Sequence, residues 1–184
     1  MEFETIIFEE REGAFRLILN RPEQLNCVNA RMQAEIFCAL DIVESSNPRV
    51  LLITGVGRGF CAGQDLSERD EKSETLDLSR GPEEFYNPLV RRLAALPAPV
   101  VGAVNGAAAG AGVNIAIACD IVVAKKSAKF VQAFSSIGLV PDAGATWHLP
   151  RLMGQGRALA FSLLGERLSA EGSGLGIGME GHRR

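Results

Sequence analysis

Two stretches rich in glycine and alanine could bind an anionic oxygen through backbone N–H groups. The first, residues 105–112, follows the β-branched apolar run of residues 100–104, which is typical of a buried strand ending in a turn. A helix pattern begins directly afterwards, so the N–H groups of its first turn have no partner within the helix. Assisted by the helix dipole, they can hold a negatively charged oxygen. Small residues would equally allow a helix to pack closely on a sheet, and that interpretation stays open.

The second stretch, residues 55–66, follows the apolar run of residues 50–54. Glycines after a strand also occur in dinucleotide-binding turns, but bulky Phe60 stands where that fingerprint requires glycine, so nucleotide binding is disfavoured. Two backbone donors from separate turns, around Gln64 and Ala111, are instead what an oxyanion hole for a thioester or other acyl carbonyl requires. Such donors bind the oxygen most strongly as its charge develops, and they therefore favour an enolate or a tetrahedral adduct.

The elements that must position these turns follow from the spacing of apolar residues. Residues 5–9 and 14–19 indicate a β-hairpin, and Asn29 is predicted to cap a helix that precedes the strand at residues 50–54. A further helix is predicted over residues 82–96, with the inward-facing residues Phe85, Leu89, Leu93 and Leu96. A strand, a helix and a second strand joined by a right-handed crossover predict an α/β domain.

The composition is that of an ordinary globular protein, with 184 residues of which 47% are hydrophobic and 22% are charged. The formal net charge of -3 gives no general attraction to nucleic acid or to an anionic membrane, and no apolar run reaches membrane-spanning length. The four cysteines form no C-x-x-C pair and no metal-like cluster with the two histidines, so we expect reduced thiols and no bound metal. The N-terminal residues show no signal-peptide pattern, and we therefore expect a cytoplasmic protein.

Three separated motifs carry a resemblance to a known family. They are Arg21-Pro22-Glu23-x-Leu25-Asn26, the segment Gly59-Phe60-Cys61-Ala62-Gly63-Gln64-Asp65-Leu66, and Asn105-Gly106-x-Ala108-x-Gly110-x-Gly112. In this order and register they resemble the crotonase (enoyl-CoA hydratase/isomerase) superfamily, and the resemblance runs from about Glu4 to Glu171. It implies an α/β fold in which ββα units form a spiral, with a central sheet flanked by helices. Residues 1–171 would form this acyl-CoA-binding core.

The resemblance also implies the residues of the site. Members of the superfamily bind acyl-CoA thioesters, with oxyanion-hole donors at the positions of the Gln64 and Ala111 N–H groups. Substrate contacts are implied at Ala62, Gly63, Asp65, Leu66, Gly110, Asn114 and Phe134, and Asp65 could also cap or orient its turn. Hydratases of the superfamily use two glutamates, and the matching positions here are Asn114 and Phe134, neither of which can act as a general base. Hydration of an enoyl-CoA is therefore disfavoured.

Asp142, between Pro141 and the pair Ala143-Gly144, is the carboxylate to which the resemblance points. Within the superfamily the chain is most similar to the ring-epoxide isomerases of phenylacetate degradation, which place a catalytic aspartate at this position. Relatives that dehalogenate aromatic CoA esters place a nucleophilic aspartate there. An apolar pocket would raise the pKa of an aspartate from about 3.9 toward useful base strength. The alternative is that Asp142 caps a helix beginning near Thr146.

Together these features predict a CoA-thioester isomerase in which Asp142 moves protons while two N–H groups hold an enolate-like oxygen. The substrate implied by the resemblance is ring-1,2-epoxyphenylacetyl-CoA, which becomes oxepin-CoA, and an apolar acyl pocket could include Phe130, Phe134, Leu139 and Trp147. No redox cofactor is implied, because coenzyme A is part of the substrate. Two alternatives stay open: a hydratase or double-bond isomerase of straight-chain enoyl-CoA, and a non-catalytic acyl-CoA-binding remnant.

Residues 172–184 depart from the resemblance, since they are glycine-rich and lack apolar periodicity. Read one nucleotide on, their codons can spell Trp-Gly-Leu-Val-Trp, and relatives continue with a Trp-Gly-containing strand and several helices. We therefore expect a frameshifted, truncated product with a disordered tail that lacks the usual C-terminal helices. Where those helices are present, the resemblance implies a homotrimer or a dimer of trimers.

Overall fold

The computed structural model describes residues 2–68, 81–171 and 179–181. In chain order the strands of these residues are β1 (Ile6–Arg11), β2 (Ala14–Leu19), β3 (Val50–Gly55), β4 (Gly59–Cys61), β5 (Val100–Val104), β6 (Ala107–Ala109), β7 (Ile121–Ala124), β8 (Lys129–Val131), β9 (Arg167–Ser169) and β10 (Met179–Gly181). The α-helices are α1 (Ala30–Ser45), α2 (Asn87–Ala95), α3 (Ala111–Ile117), α4 (Ala145–Met153) and α5 (Gln155–Leu164).

Two sheets organise these elements. The larger has the order β1-β2-β3-β5-β7-β10, and all of its neighbours except the β1–β2 hairpin are parallel. The smaller has the order β4-β6-β8-β9, in which only the β8–β9 pair is antiparallel. Successive units contribute one strand to each sheet, as β3 and β4 do before α2, and β5 and β6 do before α3. The predicted spiral of ββα units, with a central sheet and flanking helices, is confirmed.

The first helix forms as its spacing predicts. The Asn29 side chain accepts a hydrogen bond of 2.9 Å from the N–H of Met32, which satisfies one of the unpaired donors at the start of α1. Its buried face includes Ile36, Leu40 and Val43, which belong to the main hydrophobic core. Helix α1 therefore covers the sheet through the predicted apolar stripe.

The structure differs from the sequence prediction at residues 82–96. Pro82–Tyr86 is a π-helical segment, and only Asn87–Ala95 is α-helical. The N–H of Asn87 donates to the carbonyl oxygen of Pro82, five residues back, so this turn is wider than an α-helical turn. Both Phe85 and Tyr86 are consequently buried, although α-helical spacing predicted only Phe85 to face inward.

The small residues before α3 also differ from the prediction, because Ala107–Ala109 forms strand β6 and is not part of a turn. All seven residues of α3 are buried. A Cβ atom on Gly112 would overlap the carbonyl oxygen of Cys61, so the small residue there is needed for close packing. The packing interpretation and the oxyanion interpretation therefore apply to neighbouring residues of one helix.

The segment 172–184 was predicted to be a disordered tail, and it includes the last described strand, Met179–Gly181. These three residues form β10, which extends the larger sheet by parallel pairing with β7. Strand pairing uses backbone groups, so it does not require the apolar periodicity that this segment lacks. Residues 172–178 and 182–184 lie outside the described residues.

Candidate active site

The two predicted turns meet because they follow neighbouring parallel strands. Gly63 and Gln64 follow β4, Gly110 and Ala111 follow β6, and these two strands pair directly. Gly63 has a φ of +89°, and a Cβ atom there would lie 3.4 Å from the nitrogen of Ala111. The backbones of the two turns are therefore in close proximity, as an oxyanion hole with one donor from each turn requires.

The Ala111 N–H is unpaired for reasons of local geometry. Ala111 is the first residue of α3, and no acceptor for its N–H is found among the described residues. The neighbouring Gly110 N–H is occupied, because it donates to the carbonyl oxygen of Val131 at 2.9 Å. Since Ala111 lines a cavity and is only 4% exposed, its N–H is a donor in a place largely shielded from water.

Gln64 is held by an isolated bridge to Val28. The Val28 N–H donates to the carbonyl oxygen of Gly63 at 2.8 Å, and the Asp65 N–H donates to the carbonyl oxygen of Val28 at 2.9 Å. In such a parallel bridge the N–H of the middle residue points away from the partner strand. Gln64 also lines the cavity that Ala111 lines, and its N–H has no acceptor in the described parts of the chain.

Asp65 holds the first turn in place and does not line the cavity. Its Oδ2 lies 2.8 Å from Nη2 of Arg21, and its Oδ1 accepts hydrogen bonds from the Ser67 hydroxyl at 2.6 Å and the Ser67 N–H at 3.0 Å. The bond from the Ser67 side chain is the main cause that lowers the pKa of Asp65, and Arg21 adds to it. These bonds support the orienting role expected for Asp65, and its substrate contact stays a prediction.

The cavity beside the two N–H groups has a volume of about 120 Å³. The residues expected at the site that line it are Ala62, Gly63, Gln64, Leu66, Gly110, Ala111, Phe134, Leu139 and Asp142. The lining residues that the sequence reasoning missed are Pro82, Tyr86, Ala133 and Ile137. Phe130 belongs to the core instead, and Trp147 is 60% exposed, with the Arg151 guanidinium carbon 3.2 Å from its ring centroid.

Asp142 brings a carboxyl group to this cavity. Its Oδ1 is buried and has no hydrogen-bond partner among the described residues. Helix α4 begins after Gly144 and has no side-chain cap, so the alternative that Asp142 is a helix cap is wrong. Burial raises the pKa of Asp142 to about 6, although a hydrogen bond from the Asn114 side chain opposes the rise. A carboxylate with this pKa is ionised at neutral pH and basic enough to accept a proton from a substrate.

Asn114 and Gln132 fix the backbone that carries Asp142. The Asn114 Nδ2 donates to the carbonyl oxygen of Asp142 at 3.0 Å, and the Gln132 Nε2 donates to the Asn114 Oδ1 at 2.6 Å. Both side chains are fully buried, and Asn114 does not line the cavity. In the structure Asn114 therefore positions the Asp142 backbone, and its substrate contact stays a prediction. Nothing in the sequence pattern pointed to Gln132.

These groups can together catalyse proton transfer next to a carbonyl. The N–H groups of Gln64 and Ala111 can stabilise a negative carbonyl oxygen, while Asp142 can take a proton from a nearby carbon. Among the described residues that line the cavity, Asp142 is the only carboxylate. No cluster of three or more potential metal ligands from His, Cys, Asp and Glu occurs in the described ranges, nor does any helix there have the length and apolarity to cross a membrane.

Comparison with known proteins gives concordant matches. The sequence model of the enoyl-CoA hydratase/isomerase family matches residues 9–177. The chain is 55% identical over 174 residues to an Escherichia coli 1,2-epoxyphenylacetyl-CoA isomerase, covering 93% of this chain and 66% of that protein. A Streptococcus mutans trans-2-decenoyl-acyl-carrier-protein isomerase is 38% identical over 174 residues, with coverage of 93% and 66%.

The fold is shared with solved structures of the same kind. The crystal structure of an enoyl-CoA hydratase from Bacillus anthracis superposes with a TM-score of 0.88 at 31% identity, covering 97% of this chain and 70% of that chain. The two sequence relatives are longer than this chain, which spans about two thirds of their length.

Proposed function

The chain belongs to the enoyl-CoA hydratase/isomerase family, and we propose that it isomerises an acyl-CoA thioester by moving one proton with Asp142. The thioester oxygen would accept hydrogen bonds from the N–H groups of Gln64 and Ala111. The observation that carries this proposal is the half-buried Asp142 carboxyl, with a pKa of about 6, in the same cavity as the two N–H donors.

The proposed reaction needs only this one acid–base group. Ionised Asp142 removes a proton from the carbon beside the thioester carbonyl, and the electron pair moves onto the carbonyl oxygen to give an enolate. The two N–H groups stabilise the new negative charge. When the electron pair on the enolate oxygen moves back to re-form the carbonyl group, the protonated Asp142 gives its proton to a carbon further along the conjugated system. The proton balance closes without water, so the net change is an isomerisation.

Hydration is less well supported, because it needs a second acid–base group, so that one group activates the water molecule and the other protonates the substrate carbon. Asn114 is fully buried and occupied by Asp142 and Gln132, and Phe134 is apolar. Neither can hold a catalytic proton. The hydratase alternative is therefore disfavoured, while straight-chain double-bond isomerisation would use the same two N–H groups and the same carboxylate.

The cavity favours a compact ring as the acyl group. Its volume of about 120 Å³ approaches the roughly 150 Å³ of an apolar protein cavity known to hold benzene. Its apolar wall includes Phe134, Ile137 and Leu139. The Escherichia coli relative is named for the isomerisation of 1,2-epoxyphenylacetyl-CoA. We propose the same substrate here, ring-1,2-epoxyphenylacetyl-CoA in phenylacetate catabolism. The C–C bond shared by its epoxide and its six-membered ring opens to give the seven-membered oxepin ring. Proton transfer by Asp142 from the carbon beside the thioester to a ring carbon then gives oxepin-CoA.

A panel of thioesters tests this function on the 184-residue chain. Turnover of ring-1,2-epoxyphenylacetyl-CoA, a straight-chain 3-enoyl-CoA and a straight-chain 2-enoyl-CoA is followed by separating the CoA products. We expect the highest kcat/KM for the epoxide and no hydration of the 2-enoyl thioester. A preference for the 3-enoyl thioester would favour the straight-chain isomerase, and tight binding without any turnover would favour the non-catalytic alternative.

We also propose that the chain associates through α5. Three leucines of this helix are exposed, namely Leu159, Leu163 and Leu164, of which Leu163 is 67% exposed. Large apolar side chains clustered on one helix surface are typical of an interaction site. The resemblance implies a homotrimer or a dimer of trimers where the C-terminal helices are present, and we propose that association of copies of this chain buries these leucines.

A further inference from the structure

The single tyrosine of the chain, Tyr86, is brought to the cavity by an unusual backbone turn. It is the last residue of the π-helical segment Pro82–Tyr86, in which the Asn87 N–H reaches back five residues to the carbonyl oxygen of Pro82. Such turns are rare in proteins, and those that occur frequently lie at functional sites. This wider turn shifts the helical phase, and Tyr86 lies in the cavity wall directly after Phe85.

The aromatic ring of Tyr86 is fixed by its neighbours. Tyr86 is completely buried, and its ring centroid lies 4.9 Å from that of Phe85 in an edge-to-face arrangement. Phe85 in turn packs on Phe37, with 5.1 Å between the centroids. These contacts and its complete burial hold the Tyr86 ring in the core, where Tyr86 lines the cavity.

The Tyr86 hydroxyl has no hydrogen-bond partner among the described residues, although it is buried. Burial raises the pKa of Tyr86 above its ordinary value, and Cys61 and Asp142 raise it further, so the hydroxyl stays protonated and can donate. Leaving such a group unpaired destabilises a folded protein, which favours a ligand atom as its partner. The Oδ1 of Asp142, at the same cavity, is unpartnered too, and it is already assigned to proton transfer.

We propose that the Tyr86 hydroxyl donates a hydrogen bond to an oxygen atom carried by the acyl group, and thereby selects acyl-CoA thioesters with an ether or epoxide oxygen. This proposal deepens the proposed function and rests on acyl-CoA binding in the same cavity. The thioester oxygen is already accounted for by Gln64 and Ala111, and the wall formed by Phe134, Ile137 and Leu139 offers no donor side chain. A hydrocarbon acyl group would leave the Tyr86 hydroxyl unpaired, and a site built to bond an oxygen discriminates against ligands that lack it.

A matched pair of unreactive ligands isolates this one hydrogen bond. Cyclohexylacetyl-CoA and tetrahydropyran-3-ylacetyl-CoA differ only by one ring oxygen. This oxygen is attached to the ring carbon next to the one that carries the acetyl chain, a position that also bears the epoxide oxygen in the proposed substrate, and it is not a leaving group β to the thioester. Dissociation constants are measured by calorimetry for the unmodified protein and for Tyr86→Phe, which keeps the ring and removes only the hydroxyl. We expect the unmodified protein to bind the oxygen-containing ligand about five- to tenfold more tightly, and Tyr86→Phe to bind the two equally.

Phe134→Leu provides the matched control, since it changes the apolar wall and leaves the hydroxyl in place. We expect it to weaken both ligands while it keeps their ratio. Equal affinity of the unmodified protein for the two ligands, or binding of neither, would overturn the role of Tyr86 without any need for a variant. A preference that survives in Tyr86→Phe would overturn it as well.

The proposed function is tested by a different measurement, namely turnover of the epoxide, because the two ligands used for binding cannot be isomerised. An unmodified protein that prefers the ring oxygen but does not turn over the epoxide would support the role of Tyr86 and refute the isomerase. Turnover of the epoxide combined with equal affinities would do the reverse.

Discussion

Replacing Asp142 by Asn should abolish catalysis while it stabilises the fold. Asn has nearly the same size and keeps the backbone contacts to Asn114 and Ala145, but it cannot accept a proton. Loss of a general base typically costs about 10²–10⁴ in rate. We therefore expect kcat for the preferred thioester to fall by at least about 10²-fold, with KM changed only a few-fold.

The gain in stability follows from the pKa. Asp142 has a folded-state pKa of about 6 against an ordinary value of 3.8, so the folded protein binds this proton more tightly than the unfolded chain does. The corresponding stability is complete below about pH 4 and is lost as the pH rises through about 6. The difference in pKa is worth about 3 kcal/mol for a fully buried group, which we reduce to about 1–2 kcal/mol because the carboxyl is partly accessible to solvent.

Urea unfolding and turnover together provide the assay. Near pH 7.5, we expect the free energy of unfolding of Asp142→Asn to exceed that of the unmodified protein by about 1–2 kcal/mol, and near pH 4 we expect no difference. The kcat/KM of the unmodified protein should rise with pH and level off above about 6. An Asp142→Asn protein that keeps its activity, or one that is less stable near pH 7.5, would refute the assignment of a buried catalytic base.

Three further predictions concern the surroundings of this carboxyl. Ala111→Val should crowd the thioester oxygen and lower kcat by about 10²-fold in a protein that remains folded by circular dichroism, and unchanged kcat would contradict the oxyanion hole. Asn114→Ala should lower the free energy of unfolding by about 1–3 kcal/mol and reduce kcat while KM stays similar, because the Asp142 backbone loses its amide donor; a full kcat would show that this bond does not position the base. Leu163→Lys should shift the mass measured by light scattering from oligomer to monomer, and an unchanged mass would remove α5 from the interface.

The apolar pattern of the sequence is sufficient to predict β1, β2, β3 and β5 of the larger sheet, though not β10, and it also predicts helix α1, because each of these carries an apolar run or stripe. It is not sufficient for β6, where Ala107–Ala109 has neither the length nor the side chains typical of a strand and pairs through its backbone. The N–H groups of Gln64 and Ala111 could both be predicted as donors, since small residues after a strand leave backbone groups accessible.

Tyr86 and Gln132 could not be predicted. Tyr86 faces the cavity only because a π-helical turn shifts the helical phase, and no residue type in Pro82–Tyr86 specifies such a turn. Gln132 is buried because it bonds Asn114, a partner 18 positions away that only the folded chain brings near. At Asn114 the position within a motif implied ligand contact, which stays a prediction, while its hydrogen bonds to Asp142 and Gln132 could be seen only in the folded chain.

The division of the cavity between backbone and side chains bears on how such a protein can evolve. The groups proposed to hold the carbonyl oxygen are main-chain N–H groups, which every residue except proline carries, but a Cβ atom at Gly112 would overlap the backbone at Cys61. Substitution of Gly112 is therefore prevented by a steric clash and not by any chemical role of the glycine. The wall that faces the acyl group is made by side chains near the short 3₁₀ helix Ser135–Ile137, and these can be exchanged without moving the N–H donors. Descendants could thus acquire new acyl substrates one residue at a time while the enolate-stabilising step is inherited intact.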